Sequence, residues 1–104
     1  MPKVAVLAKM TAKEGQGPAL LEALSGMIDA VGAEAGTEIY ALHSDAASAD
    51  VVWFYELYSD KDALGIHSGS EAMKSLGPKL GPLLAGRPEI TLLNPVAAKG
   101  LSLG

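Results

Sequence analysis

Val4-Ala5-Val6-Leu7-Ala8 opens the chain with an unbroken apolar run rich in β-branched residues, the pattern of a strand covered on both faces. Thr11 to Gly17 reads as a turn. Gly17-Pro18 suits a helix start, because proline is tolerated where the backbone N–H has no partner. Leu20, Leu21, Leu24, Met27, Ile28 and Val31 then recur at helical period. Glu22, Ser25 and Asp29 fall off that stripe, and Gly32 marks the stop. The pattern predicts a second strand over 37–43, with Ile39, Ala41 and His43 on one face and Glu38, Tyr40 and Leu42 on the other. Residues 44–50 are small and polar, as in a hairpin loop. Val51 to Tyr58 is the strongest strand, β-branched and then aromatic.

Ser59 and Asp62 mark an N-cap and an acidic first turn, predicting a short helix over about 61–67, broken at Ser68-Gly69-Ser70. A second short helix follows over 71–76. Gly77-Pro78 and Gly81-Pro82 then predict isolated turns packed through Leu80, Leu83 and Leu84, since proline removes a helical donor and crowds the preceding turn. Residues 89–93 form the last strand, and Pro95 ends pairing. Residues 97–104 form a small-residue tail, either frayed or laid across a partner subunit. The order β-α-β-β-α-β is the ferredoxin-like split βαβ arrangement, an α+β fold with a four-stranded antiparallel sheet and helices on one face. The other face holds too much apolar surface for water, so two sheets are expected to stack, giving a homodimer.

The totals sharpen this picture. The 104 residues suit one domain, 1–104; 49% are apolar and 19% charged, which excludes a disordered chain. A chain of this size buries roughly two thirds of its unfolded surface, and self-association buries more. Cysteine is absent, which removes disulfides, thiolate metal sites and thiol nucleophiles. The net charge is −4, with only 8 Lys plus Arg, so there is no basic stripe for nucleic acid. No stretch approaches the roughly 20 apolar residues of a membrane span, and the first apolar run is too short for a signal peptide. The expectation is a soluble cytoplasmic protein.

Three segments resemble a known family, and they carry the resemblance over about residues 4–95. Ala8 to Gly15 is similar to its strand end and turn. Ala33-Glu34-Ala35-Gly36-Thr37-Glu38-Ile39-Tyr40 is similar to its AEPGT…Y segment, with Ala35 where proline is usual. Tyr55-Glu56-Leu57-Tyr58-Ser59-Asp60 through His67-Ser68 is similar to its YExYxDxxAxxxHxxS signature. The family is the antibiotic biosynthesis monooxygenases. The resemblance implies a dimeric α/β barrel. It also implies either cofactor-independent oxygenation of aromatic or quinol compounds, or a member without activity. A haem-degrading branch uses an Asn on the first strand plus a Trp and a His in the second helical region. Here Ala8 or Lys9 holds the strand position and no Trp follows His67, which disfavours that branch.

His67 is the candidate catalytic residue, because an imidazole can accept a phenolic proton or carry one to oxygen; the alternative is a helix-end residue capping carbonyls. Glu56 is costly inside so apolar a strand unless paired. Its parity with Phe54 and Tyr58 places all three toward the inter-sheet pocket, and an ion pair with Lys9 or Arg87 is the structural alternative. Tyr40 and Tyr58 combine an apolar ring with a hydroxyl, which suits a site for a flat aromatic ligand, as it equally suits core packing. Tyr40, Phe54, Glu56 and Tyr58 are the expected substrate-binding set. Trp53, of opposite parity, is expected under the helices, and His43 at an exposed strand end. The two histidines and scattered carboxylates lack metal-ligand spacing. Serine hydrolase and phosphate-loop motifs are missing as well. Two readings stay open: a cofactor-free monooxygenase, and a non-catalytic, stress-associated dimer holding an apolar small molecule.

Overall fold

In a computed structural model, residues 2–103 are described. Met1 and Gly104, the ends of the expected domain and tail, lie outside the described residues. The elements run β1 Val4–Thr11, α1 Gly17–Val31, β2 Thr37–Ser44, β3 Val51–Tyr58, α2 Lys61–Ser68, α3 Glu71–Leu80 and β4 Glu89–Leu93. The strands form one antiparallel sheet in the order β2-β3-β1-β4. The two most apolar strands are therefore central, where both backbone edges are paired. The α+β, ferredoxin-like arrangement expected from the sequence is present.

The register fixes the faces. Phe54 stands opposite Ala8 on β1 and Leu42 on β2, and Glu56 stands opposite Val6 and Tyr40. Leu20, Leu24, Met27 and Val31 of α1 pack on Ala8, Met10, Val52 and Phe54. Leu20 and Leu24 are wholly buried, which stabilises the layer by about 1.5–3 kcal/mol each. Ile28, expected on the buried stripe, sits at its edge and is 40% exposed.

This arrangement corrects the face assignment. Phe54, Glu56 and Tyr58 lie beneath the helices, and Trp53 lies on the open face. Strand alternation tells which residues share a face, not which face receives the helices. The chemistry of the neighbours decides it. Lys9 and His43 flank Trp53 in the register. A helix packed there would bury both polar heads without partners. On the open face the Lys9 ammonium lies 5.4 Å from the centre of the Trp53 ring, and the Trp53 indole N–H donates to Asp45 at 2.8 Å.

The helix starts show why local signals were read imperfectly. Asp60, not Ser59, caps α2, its carboxylate accepting from Ala63 N at 2.9 Å. Ser59 instead donates to Glu38. Gln16 gives α1 no side-chain cap. Asp50, distant in sequence, takes that role, accepting from Gly17 N at 2.9 Å and Gly15 N at 3.0 Å. The β2–β3 loop approaches so closely that a Cβ at Gly17 would collide with the Ala49 carbonyl oxygen.

The expected isolated turns after residue 76 are also corrected. Helix α3 continues through Pro78 to Leu80. Proline costs one donor, but Leu76 and Leu80, one turn apart, are both buried against the α1 layer, and that burial holds the turn. Gly81-Pro82 then ends the helix. Beyond β4 the tail, as far as residue 103, has no regular secondary structure. Among the described residues, no helix is long and apolar enough to cross a membrane.

Candidate active site

Helices α2 and α3 cover the sheet incompletely near β4. A cavity of about 250 Å³ opens there, on the helix side of the sheet. Its floor is Val6, Ala8, Met10 and Phe54; its roof is Leu64, His67, Met73 and Leu76. Ile90 and Leu92 of β4 form the rim. They are 57% and 62% exposed, because β4 is an edge strand with no helix above it. Polar groups enter this apolar space at one end only, from Tyr40, Glu56, His67 and Ser68.

His67 is placed by α2. Ala63 and His67, one helical turn apart, are the buried positions of that helix. The imidazole is 3% exposed. It does not cap the helix end, the alternative raised by its position. Nδ1 lies 2.9 Å from Glu34 Oε1. A carboxylate only accepts, so the proton of this bond sits on Nδ1, and in the neutral ring the lone pair is on Nε2. Among the described residues Nε2 has no hydrogen-bond partner and no sealed side-chain polar atom lacks one, so Nε2 is not sealed off, and His67 lines the cavity.

Glu56 is buried, 6% exposed, in the centre of the sheet. Its Oε1 accepts from the Tyr58 hydroxyl at 2.5 Å, so Tyr58 replaces Lys9 or Arg87 as the expected partner. Burial, which penalises the charged form, raises the Glu56 carboxyl above its ordinary value; the Tyr58 bond and the nearby His67 pull the other way. Burial, then the Glu56 and Glu34 carboxylates, raise the Tyr40 phenol. Burial and the Glu56 bond raise Tyr58. Both phenols are held as donors.

The expected substrate-binding residues therefore converge, with one exception of depth. Tyr40, Phe54 and Glu56 line the cavity. Tyr58 is fully buried behind Glu56 and touches the site through that bond and through its ring, 5.4 Å from the His67 ring. The Tyr40 ring is 4.4 Å from Phe54 and 5.1 Å from His67. His43 stands exposed at the end of β2, bonded to the Ala41 carbonyl. Glu34 was missed as a site residue. Its signal was present, an acidic residue inside the segment Ala33–Tyr40, but nothing local says that α2 returns to it. Among the described residues, no group of three or more His, Cys, Asp or Glu side chains could hold a metal ion. A larger depression beside the β2–β3 loop carries one carboxylate, Asp45, already engaged by Trp53 and two backbone N–H groups.

The Glu56 environment makes a prediction. A carboxyl raised in the folded state contributes stability that is fully present below its ordinary value near 4.5 and is lost as pH rises through the raised value. Glu56→Gln keeps an acceptor for Tyr58 and cannot ionise. Its melting temperature relative to the parent is expected to rise progressively as pH climbs above about 4.5 and through the raised value. A pH-independent difference in paired melts would contradict it.

The family model for antibiotic biosynthesis monooxygenase matches residues 3–77. No curated protein matches the sequence significantly. Among solved structures, a Pseudomonas aeruginosa protein superposes with a TM-score of 0.86 at 27% identity, over 93% of this chain and 97% of that one. A Mycobacterium tuberculosis protein gives 0.84 at 29% identity, over 92% and 97%. A structure described as an antibiotic biosynthesis monooxygenase gives 0.82 over 90% and 99%; at 21% identity it speaks for the fold alone.

Proposed function

Because the chain belongs to the antibiotic biosynthesis monooxygenase family, we propose that it is a cofactor-independent monooxygenase for a hydroxylated aromatic or quinol compound. The observation that carries this reading is the meeting of His67, Glu56 and Tyr40 at one end of an otherwise apolar cavity. Such a cavity excludes water from a flat ring and leaves a base at its hydroxyl edge.

The chemistry asks little of the protein. His67 Nε2 takes the phenolic proton. The electron-rich phenolate supplies the electrons that reduce dioxygen. One oxygen atom bonds to the ring carbon that loses hydrogen, the O–O bond breaks, and the other oxygen leaves as water. A phenol plus dioxygen thus gives a quinone plus water, with no external reductant. The imidazolium returns its proton to the departing oxygen, and Tyr40 donates a hydrogen bond to the ring substituents.

The test is oxygen consumption with a panel of quinols and polyphenols, without added flavin or metal. Uptake of one dioxygen per substrate is the expected result. Ligand binding without uptake would overturn it and favour the non-catalytic binding protein.

The same reading holds that residues 1–104 act as one domain, in the cytoplasm, paired with a second copy through the open face of the sheet. Trp53, Tyr55, Leu7 and Leu93 supply the half-buried and exposed apolar surface there, in place of the Phe54 and Tyr58 expected from parity. Sedimentation is expected to give a dimer at micromolar concentration, and Leu7→Glu, opposite Tyr55 in the register, a monomer, since a charge placed among the apolar residues of that face costs several kcal/mol. A monomeric parent would contradict the pairing.

A further inference from the structure

We propose that Glu34 is a positioning residue for His67, locking the imidazole in the tautomer whose free nitrogen faces the cavity. The inference rests on reading His67 as the base. Three observations carry it. Glu34 Oε1 lies 2.9 Å from His67 Nδ1 and accepts from the Thr37 hydroxyl at 2.8 Å, so a second donor fixes the oxygen that meets the imidazole. The turn that presents it is itself tied: Glu34 N donates to Val31 O at 2.9 Å, and Thr37 N to Glu34 O at 3.1 Å. His67 is nearly wholly buried, so no bulk water competes for Nδ1.

The consequence is chemical. A histidine free of such a bond favours the Nε2–H form, which would present a donor to the substrate hydroxyl instead of a lone pair. A carboxylate on Nδ1 reverses that preference and favours the imidazolium formed when Nε2 accepts a proton. The other titratable groups facing the ring are Tyr40 on β2 and Glu56 and Tyr58 on β3. Both tyrosine rings lie tilted beside it, at 56° and 43°, without bonding its nitrogens, so they do not select a tautomer.

A purely structural role is the competing account, since the Glu34–His67 bond also ties α2 to the α1–β2 turn. Nitrogen-15 NMR of the His67 ring separates the two without any substrate. In the neutral ring, the parent is expected to show the proton on Nδ1 and a pyridine-like Nε2, and Glu34→Ala to shift the population toward Nε2–H. A parent already carrying its proton on Nε2 overturns the proposal, even where the alanine variant does not fold. So does an unchanged tautomer in a folded Glu34→Ala. In the activity arm, a folded Glu34→Ala, which removes the acceptor, is expected to lower kcat about 10–100-fold with little change in KM. An unchanged kcat overturns the positioning role. An Nδ1–H tautomer with no quinol turnover in the parent supports the positioning and sinks only the monooxygenase reading, so the two failures are distinguishable.

Discussion

His67→Ala is expected to lower quinol-dependent oxygen consumption by about 10²–10⁴-fold, the range contributed by a positioned acid–base group. The loss should fall on kcat. Tyr40 and Phe54, which define the ring slot, are untouched by the change, so KM should move little. The residual rate would reflect substrate that reaches the cavity already deprotonated, and should therefore climb as the medium becomes more alkaline. The fold should survive. Glu34 keeps its Thr37 bond, and the space vacated adjoins an existing cavity that water can enter. Initial rates across a range of pH, with circular dichroism as the folding control, make the measurement. A variant as fast as the parent would remove His67 from the mechanism.

Phe54→Ala is expected to cost about 3–5 kcal/mol of stability, as for other buried aromatic truncations. At roughly 4–8 °C per kcal/mol for a domain of this size, the melting temperature should fall by about 12 °C or more. Phe54 is 1% exposed and joins both functions of the sheet. It packs under α1 with Leu20 and Leu24. It also floors the cavity, and its ring lies 4.4 Å from that of Tyr40, tilted by 32°. Phe54→Leu, which keeps most of the volume, should lose far less stability. It should still loosen the ring slot, and so raise KM. An alanine variant melting with the parent would mean that Phe54 serves only as a ligand wall.

The two substitutions separate what was legible in the chain from what was not. Strand β3 was readable to its ends, because β-branched and aromatic residues leave no other local solution and polar turns flank it. The core of α1 was readable from its period. Helix α3 was not, because the penalty of Pro78 is local while the burial of Leu80 comes from another layer. Asp50 as the cap of α1 was invisible for the same reason: the partner lies 33 residues away. His67, Tyr40, Phe54, Glu56 and Tyr58 were all named from strand parity and motif. Glu34 lies within the Ala33–Tyr40 motif, but nothing local to it assigns a role.

The sequence by itself determined the order of elements, the antiparallel α+β sheet and the group of side chains that share Glu56's face. Those follow from periodicity, which is a property of neighbours along the chain. Only the tertiary structure decided that this face lies beneath the helices, that Tyr58 stands behind Glu56, and that His67 meets Glu34. The physical reason is one of range. Alternation along a strand assigns side chains to one of two faces and is symmetric between them. That symmetry is broken by where Lys9, His43 and Trp53 can stay solvated, and by which distant carboxylate can satisfy a buried imidazole.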